Sequence, residues 1–196
     1  MLVFALRGLA MRHPCSLHQA NGTAGPVHGR RFAVRYAMGM EASGSPHVSV
    51  MPAVLIVDDA AESREPVARM LNREGIVTWC VSNGQQGLDL LGAIDVDLIL
   101  LDLCMPVMDG IEMLRRLRRD SFTRRIPVIV FTALTDREPI DQARALGARE
   151  VLYKSRFSGD DLLRAVRRQL GWPDDLSLVP ITPSSVFWRA LTGLSG

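Results

Sequence analysis

The sequence predicts an α/β domain, a five-stranded parallel sheet with helices on both faces. Three observations carry that expectation. The apolar runs at 53–57, 98–101 and 126–131 are continuous rather than alternating, as strands buried on both faces require. Stretches of helical period lie between and after these runs, and most of them close on a glycine. The runs also stop abruptly at polar residues, which places those residues along one edge of the sheet.

Residues 1–51 precede this pattern. They show no sustained period and carry scattered Gly, Pro, Ser and His, with Arg7, Arg12, Arg30, Arg31 and Arg35 against Glu41. They are expected to be a disordered arm or a mis-assigned leader, with translation starting at Met38, Met40 or Met51. The opening apolar residues are interrupted by Arg7 and make a poor secretory signal.

The ordered domain is expected over 52–171. Ala53–Val57 forms the first strand and runs into Asp58-Asp59. A helix follows over about 63–74, with Val67, Met70 and Leu71 inward and Gly75 as its stop. Pro66 fits only if it lies in the first turn. Ile76–Val81 is β-rich. Asn83 caps a helix carrying Leu88, Leu91 and Ile94, which Gly84, Gly87 and Gly92 weaken.

Leu98–Leu101 is the next strand, and it ends at Asp102. Pro106 and the Asp109-Gly110 pair then break regular structure. On its own, Asp102 reads either as a strand-terminating cap or as a reactive carboxylate.

Residues 110–119 form a helix with Ile111, Leu114 and Leu117 inward. Arg115, Arg116, Arg118 and Arg119 line its outer side, either as a solvated face or as a surface for an acidic partner or nucleic acid. Ile126–Phe131 is a buried strand ending at Thr132-Ala133. A helix over about 136–146 starts near Pro139 and closes at Gly147. Val151–Tyr153 is a short strand ending at Lys154, and a helix spans about 159–170 before Gly171. The tail, 172–196, is too short to be a domain. Its Val186, Phe187, Trp188 and Leu191 either dock a partner or pack on their own domain.

Composition narrows the chemistry. The chain has 196 residues, 47% of them hydrophobic, and a net charge of +2, too small to argue for nucleic acid. No apolar run reaches the roughly 18 residues of a membrane span. The three cysteines form no CxxC, which argues against a cysteine metal cluster or a disulfide framework and fits a cytoplasmic setting. His13, His18, His28 and His47 all precede the ordered domain, so histidine chemistry is excluded from its interior. Lys154 is the only lysine in an arginine-rich chain.

Parallel strands share one carboxyl-end edge, and ligands of open sheets bind there. That edge collects Asp58, Asp59, Asp102, Thr132, Ala133 and Lys154. Two like charges repel by on the order of 4 kcal/mol at ~4 Å and an effective dielectric of 20, so the carboxylates call for a cation. Oxygen ligands with open positions suit Mg²⁺ or a similar hard ion. Lys154 supplies a point charge for a phosphate and Thr132 a hydroxyl. Together these groups make a receptacle for a phosphoryl group.

The four elements just named, with Asp102-x-x-Met105-Pro106-x-Met108-Asp109-Gly110 as the longest, resemble the response-regulator receiver (CheY-like) family over 53–170. The resemblance implies a flavodoxin-like sheet of order 2-1-3-4-5. It implies that Asp102 accepts a phosphoryl group from a histidine kinase or phosphotransfer protein. Asp59, Asp102 and the backbone carbonyl of Cys104 would bind Mg²⁺ (or Mn²⁺), with Asp58 acting through a water. Thr132 and the Ala133 amide would hold phosphoryl oxygens, and Lys154 would pair with the phosphate. The chain would act in the cytoplasm as a stand-alone switch rather than an enzyme. It would signal to a protein target, or form a homodimer, through the face made by the fourth helix, the last strand and the last helix. No DNA-binding domain is visible in the sequence.

Two positions depart from the family pattern. Ser155 replaces the proline after Lys154, so the family's cis peptide is not expected there. Val151 replaces an aromatic residue, and Tyr153 is expected to point elsewhere by parity. The output switch is therefore expected to be altered. A phosphohydrolase of similar fold is a competing reading, but it needs an acid/base Asp where Cys104 stands. A phosphorylation-independent interaction module is the other, and the intact Asp59, Asp102, Thr132 and Lys154 argue against it.

Overall fold

The structure, a computed structural model, describes the backbone of residues 36–40 and 46–171 and the side chains of residues 51–171. The apolar cluster expected at 186–191 and most of the expected leader lie outside the described residues. Within that leader the expectation is corrected at one place. Strands β1 (Tyr36–Met40) and β2 (Pro46–Val50) pair antiparallel, Tyr36 with Val50 and Met38 with Val48. The short alternation His47-Val48-Ser49-Val50 is a strand pattern that a search for longer periods passes over.

The domain that follows alternates strand and helix: β3 (Ala53–Val57), α1 (Ala61–Arg73), β4 (Val77–Val81), α2 (Gly84–Leu91), β5 (Leu98–Leu101) and α3 (Gly110–Arg119). It continues with β6 (Val128–Thr132), α4 (Arg137–Ala145), β7 (Glu150–Tyr153) and α5 (Gly159–Leu170). The five strands from β3 onward pair in parallel in the order β4-β3-β5-β6-β7, the predicted 2-1-3-4-5. Every residue of β3, β5 and β6 is buried, which explains their continuous apolar sequence.

Alternate residues of each strand feed two cores. Leu55, Val57, Ile99, Leu101, Val128 and Val130 pack with Leu91 of α2, Met113, Leu114 and Leu117 of α3, and Ile140 and Ala143 of α4. Val54, Ile56, Leu98, Leu100 and Phe131 pack with Val67 and Leu71 of α1 and Leu162 and Val166 of α5.

Pro66 sits inside α1 rather than in its first turn, contrary to expectation. The position is exposed, so water can satisfy the Glu62 carbonyl that loses its i+4 donor. Asn83 caps α2 as expected, its side chain accepting from the Gln86 amide at 2.9 Å. Gly84 and Gly87, read as weaknesses, allow close packing. A Cβ at Gly84 would lie 2.9 Å from Met108 Cγ, and one at Gly87 2.6 Å from Met113 Cε.

The arginine-rich side of α3 is only partly a solvated face. Arg115 and Arg116 both pair with Glu112. Arg118 turns back on the protein. Its guanidinium donates to the carbonyls of Leu146 (3.0 Å), Gly147 (3.1 Å), Arg124 (3.2 Å) and Ile126 (3.2 Å). It thereby ties the end of α3 to the end of α4 and to the loop before β6. Burial, with Arg149 nearby, lowers its pKa from the ordinary arginine value.

Candidate functional site at the carboxyl edge of the sheet

The sheet ladder fixes the site. The Asp58 amide donates to the Val81 carbonyl at 3.1 Å, and the Asp102 amide donates to the Val57 carbonyl at 2.9 Å. The Lys154 amide donates to the Thr132 carbonyl at 2.8 Å. Each of these residues is therefore held by the last rung to a neighbouring strand, and their side chains converge beyond the edge.

Asp102 is buried, with 6% of its surface exposed. Its Oδ1 accepts from the amides of Leu103 (2.6 Å) and Cys104 (3.3 Å), and its Oδ2 lies 2.6 Å from Lys154 Nζ. The same ammonium lies 2.7 Å from Asp58 Oδ2. Burial alone would lower the Lys154 pKa. The hydrogen bonds to Asp102 and Asp58 outweigh that effect and raise it above its ordinary value. The ammonium also sits 5.7 Å from the centre of the Phe131 ring, within cation–π range. Phe131 is braced edge-on by Phe157.

Carboxylate oxygens of Asp58, Asp59 and Asp102 lie within 4.8 Å of one another. The three aspartates differ in how they are held. Asp58 accepts from the Ala60 amide (3.0 Å), the Ser63 hydroxyl (2.8 Å) and Lys154. Its backbone carbonyl accepts from Arg64. Asp59 is exposed and accepts no hydrogen bond among the described residues. An all-oxygen cluster with one uncommitted carboxylate and an open side suits a hard divalent ion such as Mg²⁺.

The loop after Asp102 is tightly folded against it. Gly110 begins α3 under Asp102. Its amide donates to the Leu103 carbonyl at 3.1 Å, and a Cβ there would fall 2.2 Å from the Asp102 carbonyl oxygen. Asp109 caps α3 by accepting from the Glu112 amide. Val107 is 85% exposed at φ 69°, and the Met108 amide donates to the Pro106 carbonyl across it at 2.8 Å. This is a γ-turn of the strained hand, unusual for a β-branched residue.

Thr132 is fully buried, and its Oγ1 accepts from the Leu134 amide at 3.2 Å. Ala133 is exposed beside it. All described peptide bonds are trans, that between Lys154 and Ser155 included. The expectation for Tyr153 is corrected. Two residues apart on β7, Val151 and Tyr153 point to the same side, and both pack against the core under α2, α3 and α4. The structure thus brings together Asp58, Asp102 and Lys154 directly and Asp59 at the rim, with Thr132 at the end of β6 and Cys104 and Ala133 on adjoining loops. It adds Ser63 and Arg64, which no sequence pattern had marked.

The family model of the response regulator receiver domain matches residues 54–167. The chain belongs to this family. It is 37% identical over 117 residues to sporulation initiation phosphotransferase F of Bacillus subtilis, covering 60% of this chain and 92% of that protein. It is equally identical over 117 residues to regulatory protein AtoC of Escherichia coli, but there the match spans only 25% of the longer protein. Among solved structures, the receiver domain of the Francisella response regulator 1452 is similar at 30% identity, with a TM-score of 0.56, covering 61% of this chain and 97% of that one. The receiver domain of the sensor histidine kinase PA1611 from Pseudomonas aeruginosa PAO1 is similar at 27% identity and a TM-score of 0.57, covering 62% and 98%. That structure has a magnesium ion coordinated in its active-site cleft. In this receiver domain no helix among the described residues is long and apolar enough to cross a membrane.

Proposed function

We propose that the receiver is a phosphoryl-accepting switch of a two-component phosphorelay, with Asp102 as acceptor. The observation that carries this reading is the Lys154 ammonium, which lies 2.6 Å from Asp102 Oδ2 and 2.7 Å from Asp58 Oδ2 at the rim of a three-carboxylate cluster. The two backbone amides on Oδ1 leave Oδ2 as the oxygen that reacts. It forms a bond to phosphorus as the bond between phosphorus and the imidazole nitrogen of a phosphohistidine donor breaks. The donor imidazole leaves with the electron pair of that bond. The donor is a histidine kinase or a phosphotransfer protein, since no histidine lies within residues 52–171.

Asp59, Asp102 and the Cys104 backbone carbonyl would hold Mg²⁺ or Mn²⁺, with Asp58 acting through a water. When bound, such an ion neutralises phosphoryl charge. Lys154 then pairs with a phosphoryl oxygen. Thr132 exchanges its bond from the Leu134 amide for one donated to the phosphoryl group, and the exposed position of Ala133 leaves room for its amide to do the same. The rearrangement biases the face formed by α4, β7 and α5 toward a protein target or a second copy. Allosteric couplings of this type are about 1–3 kcal/mol.

The protein acts in the cytoplasm and is a switch rather than an enzyme with an external substrate. Mass spectrometry after incubation with acetyl phosphate and Mg²⁺ tests the reading. A phosphoryl adduct on the wild type that disappears in Asp102→Asn is expected; an adduct that survives Asp102→Asn rejects it.

A further inference from the structure

Asp58 is held from more directions than any other acid of the site, and one of its donors has no evident role in folding. Its backbone is fixed by the ladder bond to Val81 and by Arg64, and its Oδ1 by the Ala60 amide. Oδ2 is shared by Lys154 and the Ser63 hydroxyl, at 2.7 and 2.8 Å. Ser63 lies in the first turn of α1 and is half-buried. A serine there commonly caps the helix or bonds back to its own backbone. Here the N-cap residue is Ala60, which makes no side-chain cap, and the Ser63 hydroxyl is spent on Asp58.

The two donors on Oδ2 respond oppositely to a cation. The Lys154 ammonium carries the same sign as a bound divalent ion and is repelled by it. It also has an alternative partner in Asp102. The Ser63 hydroxyl is neutral, is anchored to a helix and feels no such repulsion. In the loaded state it is the side-chain donor left to orient Asp58.

We infer that Ser63 is a positioning residue for the cation site. Its hydroxyl holds Asp58 aimed into the acidic cluster while Lys154 is drawn away, so that Asp58 is presented to the ion's hydration shell without reorganisation. This rests on the reading of Asp58, Asp59 and Asp102 as a divalent-cation site.

The test is calorimetric titration of the full chain with Mg²⁺ alone, for the wild type, Ser63→Ala and Ser63→Thr. The Asp58 and Asp59 amide resonances are followed in parallel, and melting is measured in EDTA. A hydrogen bond to a charged group predicts that Ser63→Ala binds Mg²⁺ roughly ten- to a hundred-fold more weakly. Ser63→Thr, which restores the hydroxyl, binds close to the wild type, and the melting temperature in EDTA barely changes among the three. Equal Mg²⁺ affinity of the wild type and Ser63→Ala overturns the role of Ser63 and leaves the cation reading standing. Equal weakening in Ser63→Ala and Ser63→Thr also overturns it, because the hydroxyl would then not be the cause. A wild type with no saturable Mg²⁺ binding overturns both.

Discussion

Tyr153 stands directly opposite Thr132 in the parallel register of β6 and β7. Thr132 shares the parity of Val130, and Tyr153 that of Val151, so both face the core under α4. The aromatic neighbour of the threonine is thus its own rung partner, and a short aliphatic chain occupies the rung before it. The chain has two tyrosines, Tyr36 and Tyr153, which makes 3-fluorotyrosine a clean probe. Beryllofluoride with Mg²⁺ should shift the Tyr153 resonance and leave that of Tyr36 unmoved, and Thr132→Ala should remove the shift. With Val151 in place of an aromatic residue, amide shifts across α4, β7 and α5 should move only part of the way. Complete movement would show that Val151 does not weaken the coupling.

Lys154 sets a pH dependence whose sign follows from its raised pKa. The ammonium is protonated in both folded and unfolded chains below the ordinary lysine value, so its contribution is fully present there. The contribution is lost as pH rises through the higher folded value. Lys154→Met should therefore cost about 1–3 kcal/mol in EDTA, discounted from the fully buried limit because the side chain is 16% exposed. That difference from the wild type should stay flat from neutral pH to about 10 and shrink above it. Urea unfolding of both proteins across this range measures it. A difference that shrinks between neutrality and pH about 9 would contradict the arrangement.

Gly110→Ala should be among the most damaging single-methyl changes in the domain. The added carbon would meet the Asp102 carbonyl oxygen at 2.2 Å, and backbone on both sides leaves nothing flexible to yield. A loss of about 3 kcal/mol or more is expected from urea unfolding. Gly75→Ala is a useful contrast. No atom lies within 4 Å of a Cβ there, so its cost comes from φ 78° alone and should be about 1 kcal/mol.

Arg118→Ala should cost about 1–3 kcal/mol, because four carbonyls lose a charged donor at once. Arg118→Lys should recover little of it, since one ammonium cannot reproduce the planar spread of a guanidinium. Full rescue by lysine in thermal melts would mean that charge rather than the fork of donors holds α3 to α4.

The residues legible in the sequence are those whose place depends on the strand they end. Asp58, Asp59, Asp102, Thr132 and Lys154 each terminate an apolar run, and parallel topology then gathers them without any knowledge of distance. The residues missed depend on approach between elements. Ser63 looks like an ordinary helix serine until α1 is laid beside Asp58. Arg118 belongs to a basic run until the end of α4 is brought under it. Gly84 and Gly87 read as helix weaknesses because the sequence does not show Met108 and Met113 pressing on them. Pro66 is tolerated inside α1 for a related reason, since its cost depends on whether the Glu62 carbonyl meets water.

The last-rung bonds of Asp58, Asp102 and Lys154 also bear on how the receiver opens. The Asp102 amide belongs to the central ladder between β3 and β5, whereas the Asp58 and Lys154 amides tie the edge strands β4 and β7 to their neighbours. In hydrogen exchange the Asp102 amide should be released only with the whole sheet, while the amides of Asp59 and Ala133, in the loops beyond, exchange early. The centre of the carboxyl edge, at Asp102, therefore has no private melting step. An unfolding event large enough to free Asp102 from β3 is one that dissolves the domain.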